Sequence, residues 1–156
     1  MKHRPIHIEL TQGKKALISL SDRDKVNSRS WHVAIRKNRS RAETAINGRV
    51  VDLGRFILSA PKHLHVDHIN GDALDNRREN IRLCTVSQNN ANRFFKLGKS
   101  KYKGVSKHPL SKKWRATIGI NWRNLHLGVF DKEIDAARTY DLAAKKYFGE
   151  FAKTNF

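Results

Sequence analysis

Apolar and polar positions alternate in short runs along the first sixty residues. Ile6-His7-Ile8-Glu9-Leu10 alternates, Ala16-Leu17-Ile18-Ser19-Leu20 is mostly apolar, and Trp31-His32-Val33-Ala34-Ile35 alternates again. A period of two puts every second side chain on one face, so these runs predict short strands. Asn47-Gly48, between Ala45-Ile46 and Arg49-Val50-Val51, predicts a two-residue hairpin turn, since both central residues of that turn need positive φ. A short helix is expected from Leu53 to Ser59. Residues 1–60 therefore read as a small N-terminal β-rich unit.

The pattern then changes. Residues 61–95 read as strand, loop, strand, helix: His63-Leu64-His65-Val66 is extended, Asn70-Gly71-Asp72 and Asp75-Asn76 form turns, and Asn80-Ile81-Arg82-Leu83-Cys84 alternates. Thr85-x-x-Gln88 is a capping box, which starts a helix running towards Phe95 with Asn89 and Arg93 on one face. Residues 96–101 are a polar linker. From 102 to 156, three strands are expected at Tyr102–Val105, Trp114–Ile118 and Leu125–Phe130, followed by a helix over 132–148 capped by Asp131. In that helix Ile134, Ala137, Tyr140, Ala144 and Tyr147 recur at helical spacing, and paired alanines let it lie close against a sheet. The fold class is α+β, ending in a three-stranded antiparallel sheet packed on one helix.

Charge decides the partner. The chain has 156 residues, a formal net charge of +18 and a pI near 10.5, which marks a polyanion; nucleic acid is expected, with an anionic membrane surface as the plainer alternative. The charge is uneven. Residues 1–60 carry 13 Lys and Arg against 5 acids, residues 61–95 carry 5 against 4, and residues 96–156 carry 14 against 5. A near-neutral island between two basic flanks suits a bound cation, because a carboxylate in a uniformly positive field holds a metal poorly. No apolar run approaches the roughly 20 residues that span a bilayer, so a soluble, cytoplasmic protein is expected. Cys84 is the only cysteine, which excludes an internal disulfide and a cysteine-rich zinc site.

The middle segment carries the chemistry. Phosphodiester cleavage needs a nucleophilic water, a cation on the developing charge and help for the leaving oxygen. His68 is the candidate base, since a neutral imidazole accepts a water proton near pH 7. Asp67 and Asn89 offer oxygen donors, which favour Mg²⁺ or Mn²⁺ over zinc. Asp67 and His68 are adjacent, so they can serve one site only if the chain turns there. Asp72 and Asp75 read as loop-forming residues, His63 and His65 as strand-surface residues either of which could steady a phosphate, and Cys84 as core.

Asp67-His68-Ile69-Asn70-Gly71-Asp72, Leu74-Asp75-Asn76-Arg77-Arg78-Glu79-Asn80-Ile81-Arg82 and Gln88-Asn89 resemble the HNH homing endonucleases of bacteriophage and intron origin, which share a ββα-metal fold. The resemblance implies that His68 is the general base, that Asp67 and Asn89 bind the metal, and that Asn80 hydrogen-bonds the loop to position the base. Asn at position 89 resembles the His-Asn-Asn subgroup. It also implies a phage or mobile-element setting, in an infected bacterial host.

A second resemblance covers residues 100–156. Ser100-Lys101-Tyr102-Lys103-Gly104-Val105, Leu127-Gly128-Val129-Phe130-Asp131, Ala136-Ala137-Arg138-Thr139-Tyr140-Asp141-Leu142-Ala143-Ala144 and Thr154-Asn155-Phe156 are similar to the DNA-binding domain of plant ethylene-response factors, the APETALA-two family. The resemblance implies a sheet lying in the major groove, with Arg115 and Thr117 towards DNA. Ser106, His108, Leu110, Asn124 and His126 depart from the plant pattern, so the plant target does not carry over. Arg93, Lys103, Lys107, His108, Arg115, Thr117, Arg123, Asn124 and His126 are the candidate DNA contacts. Trp122 either stacks at the sheet tip or only covers the turn.

The expected protein is thus a metal-dependent, homing-type endonuclease that nicks double-stranded DNA as a monomer or weak homodimer. The rival is a non-catalytic DNA-binding regulator with a degenerate nuclease core.

Overall fold

The computed structural model describes residues 5–36, 39–93 and 99–156. The chain divides into two compact units, 1–85 and 86–156. It is a mixed α+β protein built on several small sheets.

In the first unit, β1 (Pro5–Glu9) and β2 (Lys15–Ser19) pair antiparallel, with Ile6 opposite Ile18 and Ile8 opposite Ala16. After α1 (Arg23–Asn27), β3 (His32–Arg36), β4 (Arg39–Ile46) and β5 (Arg49–Asp52) form an antiparallel sheet. Asn47 (φ 50°) and Gly48 (φ 72°) make its expected two-residue turn. Next come α2 (Leu53–Ile57), β6 (His65–His68), β7 (Asp75–Asn76) and β8 (Ile81–Cys84). β6 and β8 form a hairpin, and β7 leaves the loop between them to pair in parallel with β2, Leu17 opposite Asp75. That pairing ties the loop to the N-terminal strands. One apolar core, including Ile8, Ile18, Val26, Leu53, Ile57 and Ile81, joins most of these elements, and burial of this kind is the main source of their stability.

The second unit contains α3 (Val86–Asn92), β9 (Val105–Lys107), β10 (Trp114–Ile120), β11 (Arg123–Phe130) and α4 (Glu133–Phe148). Its antiparallel sheet runs β11-β10-β9, with a bulge at Ala116/Thr117. Tyr140 of α4 comes so near the sheet that a Cβ on Gly104 would stand 1.9 Å from its ring, and Gly104 has φ 75°. Only glycine meets both conditions.

Several local expectations shift. β9 begins at Val105 instead of Tyr102, because the Lys103 backbone N–H is used by Asn155 Oδ1 and Gly104 leaves the extended region. α4 buries Ala136, Ala137, Tyr140, Asp141 and Ala144, while Ile134 and Tyr147 are exposed. The polar Asp141 faces inward because its carboxylate accepts from Asn155 N, Asn155 Nδ2 and Phe156 N. Asp131 does not cap the helix: Lys132 holds the N-cap position, and Asp131 pairs with Lys113 at 3.2 Å. α3 ends at Asn92, so Arg93 lies beyond it and shares no helical face with Asn89. The helix end expected near Phe95 and most of the 96–101 linker lie outside the described residues. Ser100 is buried, with its hydroxyl on Glu133 Oε1 at 2.7 Å. Among the described residues, no helix is long and apolar enough to cross a membrane.

Candidate active site and DNA-binding face

β6 places Asp67 opposite Arg82 and His68 opposite Ile81. The chain turns only after this pair: Gly71 N donates to His68 O at 2.8 Å, and Ile69 N to Asn80 O at 2.9 Å. Asp67 is buried, and its Oδ2 receives Arg82 Nε at 3.0 Å and Nη2 at 2.9 Å. His68 is half-buried, with Nε2 3.1 Å from Oδ1 of Asn76. Asn76 is 1% exposed, and its Nδ2 donates to Ala73 O at 3.2 Å. Its Oδ1 is therefore the atom presented to the imidazole. A neutral His68 then carries its hydrogen on Nε2 and its basic lone pair on Nδ1.

The loop after His68 is held by its own side chains. Asn80 Oδ1 accepts from Asn70 N at 3.0 Å, and its Nδ2 donates to Asn70 Oδ1 and to Asp75 O at 3.0 and 2.7 Å. Asn70 and Asp72 each accept a backbone N–H two residues on, at 2.8 and 2.9 Å, the local turn chemistry expected of such residues. Asp75 does more than turn the chain. Arg77 grips it through Nε (2.8 Å) and Nη2 (2.7 Å), and this hydrogen-bonded guanidinium holds the Asp75 carboxyl below its usual range. Arg78 reaches out of the loop to the buried Asp22, donating to its oxygens at 2.7, 2.9 and 3.0 Å, while Arg78 N donates to Ser19 Oγ at 2.9 Å.

Asn76, Gly54, Asp22 and Ser19 escaped the sequence reading. Asn76 was legible only as one more turn residue in an Asn-rich run, and Gly54 only as a glycine inside an expected helix. His63 and His65 are exposed. Cys84 is buried, its thiol on His65 O at 3.6 Å, and burial pushes the thiol pKa up to about 11.

Among the described residues, no group of three or more His, Cys, Asp and Glu is placed to hold a metal ion. The donors proposed from sequence are of another type. Asp67 offers a carboxylate and Asn89, half-buried on α3 in the second unit, an amide oxygen. Such hard oxygens fit Mg²⁺ or Mn²⁺, which commonly take one or two carboxylates and complete their shell with water and phosphate oxygens.

In the second unit, register gathers an outward face. Arg115 lies opposite Ser106 and Val129, Thr117 opposite His126, and Gly119 opposite Asn124, while Ala116 and Ile118 are buried on the other side. Arg123, Asn124 and His126 are exposed. The Nε of Arg115 is buried without a hydrogen-bond partner among the described residues. Lys107 Nζ sits 3.8 Å above the Trp114 ring and donates to Lys112 O at 3.1 Å. His108 Nδ1 accepts from Leu110 N at 3.3 Å, closing a turn.

Lys103, expected at the DNA surface, is 6% exposed, and its ammonium donates to the Ala91 carbonyl near the end of α3. The carbonyls in the last turn of a helix lack intrahelical donors, so this contact satisfies one of them. Lys153 N donates to the same oxygen at 3.3 Å. Burial, reinforced by the nearby Lys153 charge, lowers the Lys103 pKa to about 8. The helix that carries Asn89 is thereby anchored to the sheet-and-helix module.

Residues 59–91 match the HNH endonuclease family model. The chain is 27% identical to an uncharacterised HNH endonuclease of Acanthamoeba polyphaga mimivirus over 150 residues, 92% of this chain and 76% of that protein. A stretch of 64 residues is 44% identical to the ethylene-responsive transcription factor WRI1 of Arabidopsis thaliana, covering 40% of this chain but only 15% of the factor. A 64-residue match at 42% identity to APETALA2-like protein 2 of Oryza sativa subsp. indica covers 14% of that protein. One segment of the chain is thus similar to HNH endonucleases, and another to a part of plant ethylene-responsive factors.

Proposed function

We propose that this protein is a metal-dependent endonuclease of the homing type that nicks double-stranded DNA. The observation that carries the reading is the 3.1 Å contact between His68 Nε2 and the buried Asn76 amide oxygen, inside the segment that matches the HNH endonuclease model. The contact fixes the orientation of the ring, and a neutral imidazole accepts a water proton near pH 7.

His68 Nδ1 takes a proton from water, the resulting hydroxide attacks phosphorus, and the bond to the 3′ oxygen breaks as that oxygen takes a proton from a second water. The products carry a 5′-phosphate and a 3′-hydroxyl. Asp67 and Asn89 would be the ligands of Mg²⁺ or Mn²⁺, which would supply positive charge to the phosphate and the departing oxygen. Asn80 pins the loop between Asn70 and Asp75 and so keeps His68 in place. Arg115, Thr117, Asn124 and His126 meet the duplex from the outward sheet face. One His68 cuts one strand, so a monomer nicks.

Conversion of supercoiled to open-circular plasmid tests this. Wild type should nick with Mg²⁺ or Mn²⁺ and stop in EDTA; His68→Ala should lose about 10²–10⁴-fold in rate while binding duplex within a few-fold of wild type. Nicking by His68→Ala at the wild-type rate overturns the assignment of the base. Tight duplex binding with no nicking by wild type favours the regulator reading.

A further inference from the structure

The second unit contains a cleft of about 290 Å³ between the start of α3 and the β10–β11 turn, lined by Ser87, Asn90, Asn121, Trp122, Arg123 and Asn124 among others. We propose that this cleft binds one unpaired nucleobase of the DNA, stacked on the Trp122 indole with its edge met by the surrounding amides. The proposal rests on the reading of this chain as a DNA nuclease, and adds to it a site for a base outside the double helix.

The turn itself supplies the first argument. Ile120 pairs with Arg123, leaving Asn121 and Trp122 as a two-residue loop with φ 46° and 67°. The same chain builds a closely similar turn between β4 and β5 from Asn47 and Gly48, at φ 50° and 72°. Glycine at the second position is the unstrained choice, and a bulky aromatic there is an outlier. Trp122 gains nothing from packing in return, since 89% of its surface is exposed. A residue that strains its backbone and buries almost nothing is held for what it contacts from outside.

The lining names the contact. Asn90, Asn121, Asn124 and Ser87 provide neutral donors and acceptors side by side, the complement of a base edge. Arg123 alone brings a formal charge to this set, suited to the phosphate of the same nucleotide. A cleft of about 290 Å³, just below the range that holds drug-sized molecules, which begins at about 300 Å³, has room for one base. The net charge of +18 attracts a polyanion to the chain as a whole, and stacking on an aromatic side chain is available to any base.

The test compares binding of the full chain, in EDTA so that nothing is cut, to a perfectly paired duplex and to the same duplex with one unpaired adenine. Wild type should prefer the second by about tenfold, a ratio typical of one stacked base. Trp122→Gly should lose that preference, bind the paired duplex within twofold of wild type, and melt at a higher temperature because the turn is relaxed. Trp122→Phe should keep part of the preference. 2-Aminopurine as the unpaired base should be quenched by wild type and unaffected by Trp122→Gly. No preference in wild type, or a preference unchanged in Trp122→Gly, overturns the proposal. Plasmid nicking with Mg²⁺ is scored separately, so a failure of the nuclease reading and a failure of this one are told apart.

Discussion

Gly54 lies so close to Asn76 that a Cβ there would stand 3.0 Å from Asn76 Oδ1, and 3.7 Å from His68 Nε2. The missing side chain in α2 is the space in which the amide and the imidazole meet. Gly54→Ala favours the helix intrinsically, yet it must displace the amide by a few tenths of an ångström. The expected result is a fall of about tenfold or more in single-turnover nicking, since small misplacements of catalytic groups are costly. Duplex affinity and melting temperature should stay near wild type.

The Arg78–Asp22 pair links the loop to the N-terminal strands through a carboxylate that is 2% exposed. Asp22→Ala removes three charge-assisted bonds and leaves a half-exposed guanidinium that water can solvate. Loss of about 1–3 kcal/mol is expected, read as a lower urea midpoint at unchanged m.

Asp75 is held below its ordinary value of 3.8, chiefly by the hydrogen bonds from Arg77. The unfolded chain therefore takes up this proton first on acidification. The stability it contributes is complete above about pH 4 and is lost as pH falls through the native value. Asp75→Asn should show a shallower acid limb below about pH 4 than wild type, in melts taken across that range.

For Lys103 the slope has the same sign, because its pKa is also lowered, but it falls in an alkaline window and reports the cost of burying a charge. Its native pKa, near 8 against an ordinary 10.5, means that between these values the unfolded chain binds more protons than the native one. Stability should rise with pH through that window, by up to about 1.4 kcal/mol per unit. Lys103→Met should remove the rise. It should also leave the Ala91 carbonyl with one donor fewer, so nicking should require more Mg²⁺ if Asn89 is a ligand; a flat Mg²⁺ dependence would separate the helix anchor from the metal.

Arg115 carries a buried Nε without a partner among the described residues, and orphaned donors of this kind are rare. Arg115→Met should weaken duplex binding by about tenfold, a loss of one base or phosphate contact, without lowering the melting temperature. Equal weakening on target and scrambled duplexes would make it a phosphate contact.

Local pattern determined a good deal on its own. Asn47-Gly48 encodes its turn because few other pairs tolerate two positive φ angles. Asn70, Asp72 and Asn80 organise their loop through contacts within ten residues, so the motif around His68 could be recognised without knowing what packs on it. The face of α4 was only half legible: spacing marks an apolar stripe, but the carboxylate of Asp141 turns inward for Asn155 and Phe156, which lie beyond the helix. Tertiary structure alone decided that Asn76 faces His68, that Gly54 makes room for both, that Arg78 reaches Asp22 across 56 residues, and that Lys103 is buried against Ala91 instead of facing solvent. Periodicity reports which side chains share a face of one element. It carries no information about which distant element, or which missing side chain, will complete the contact.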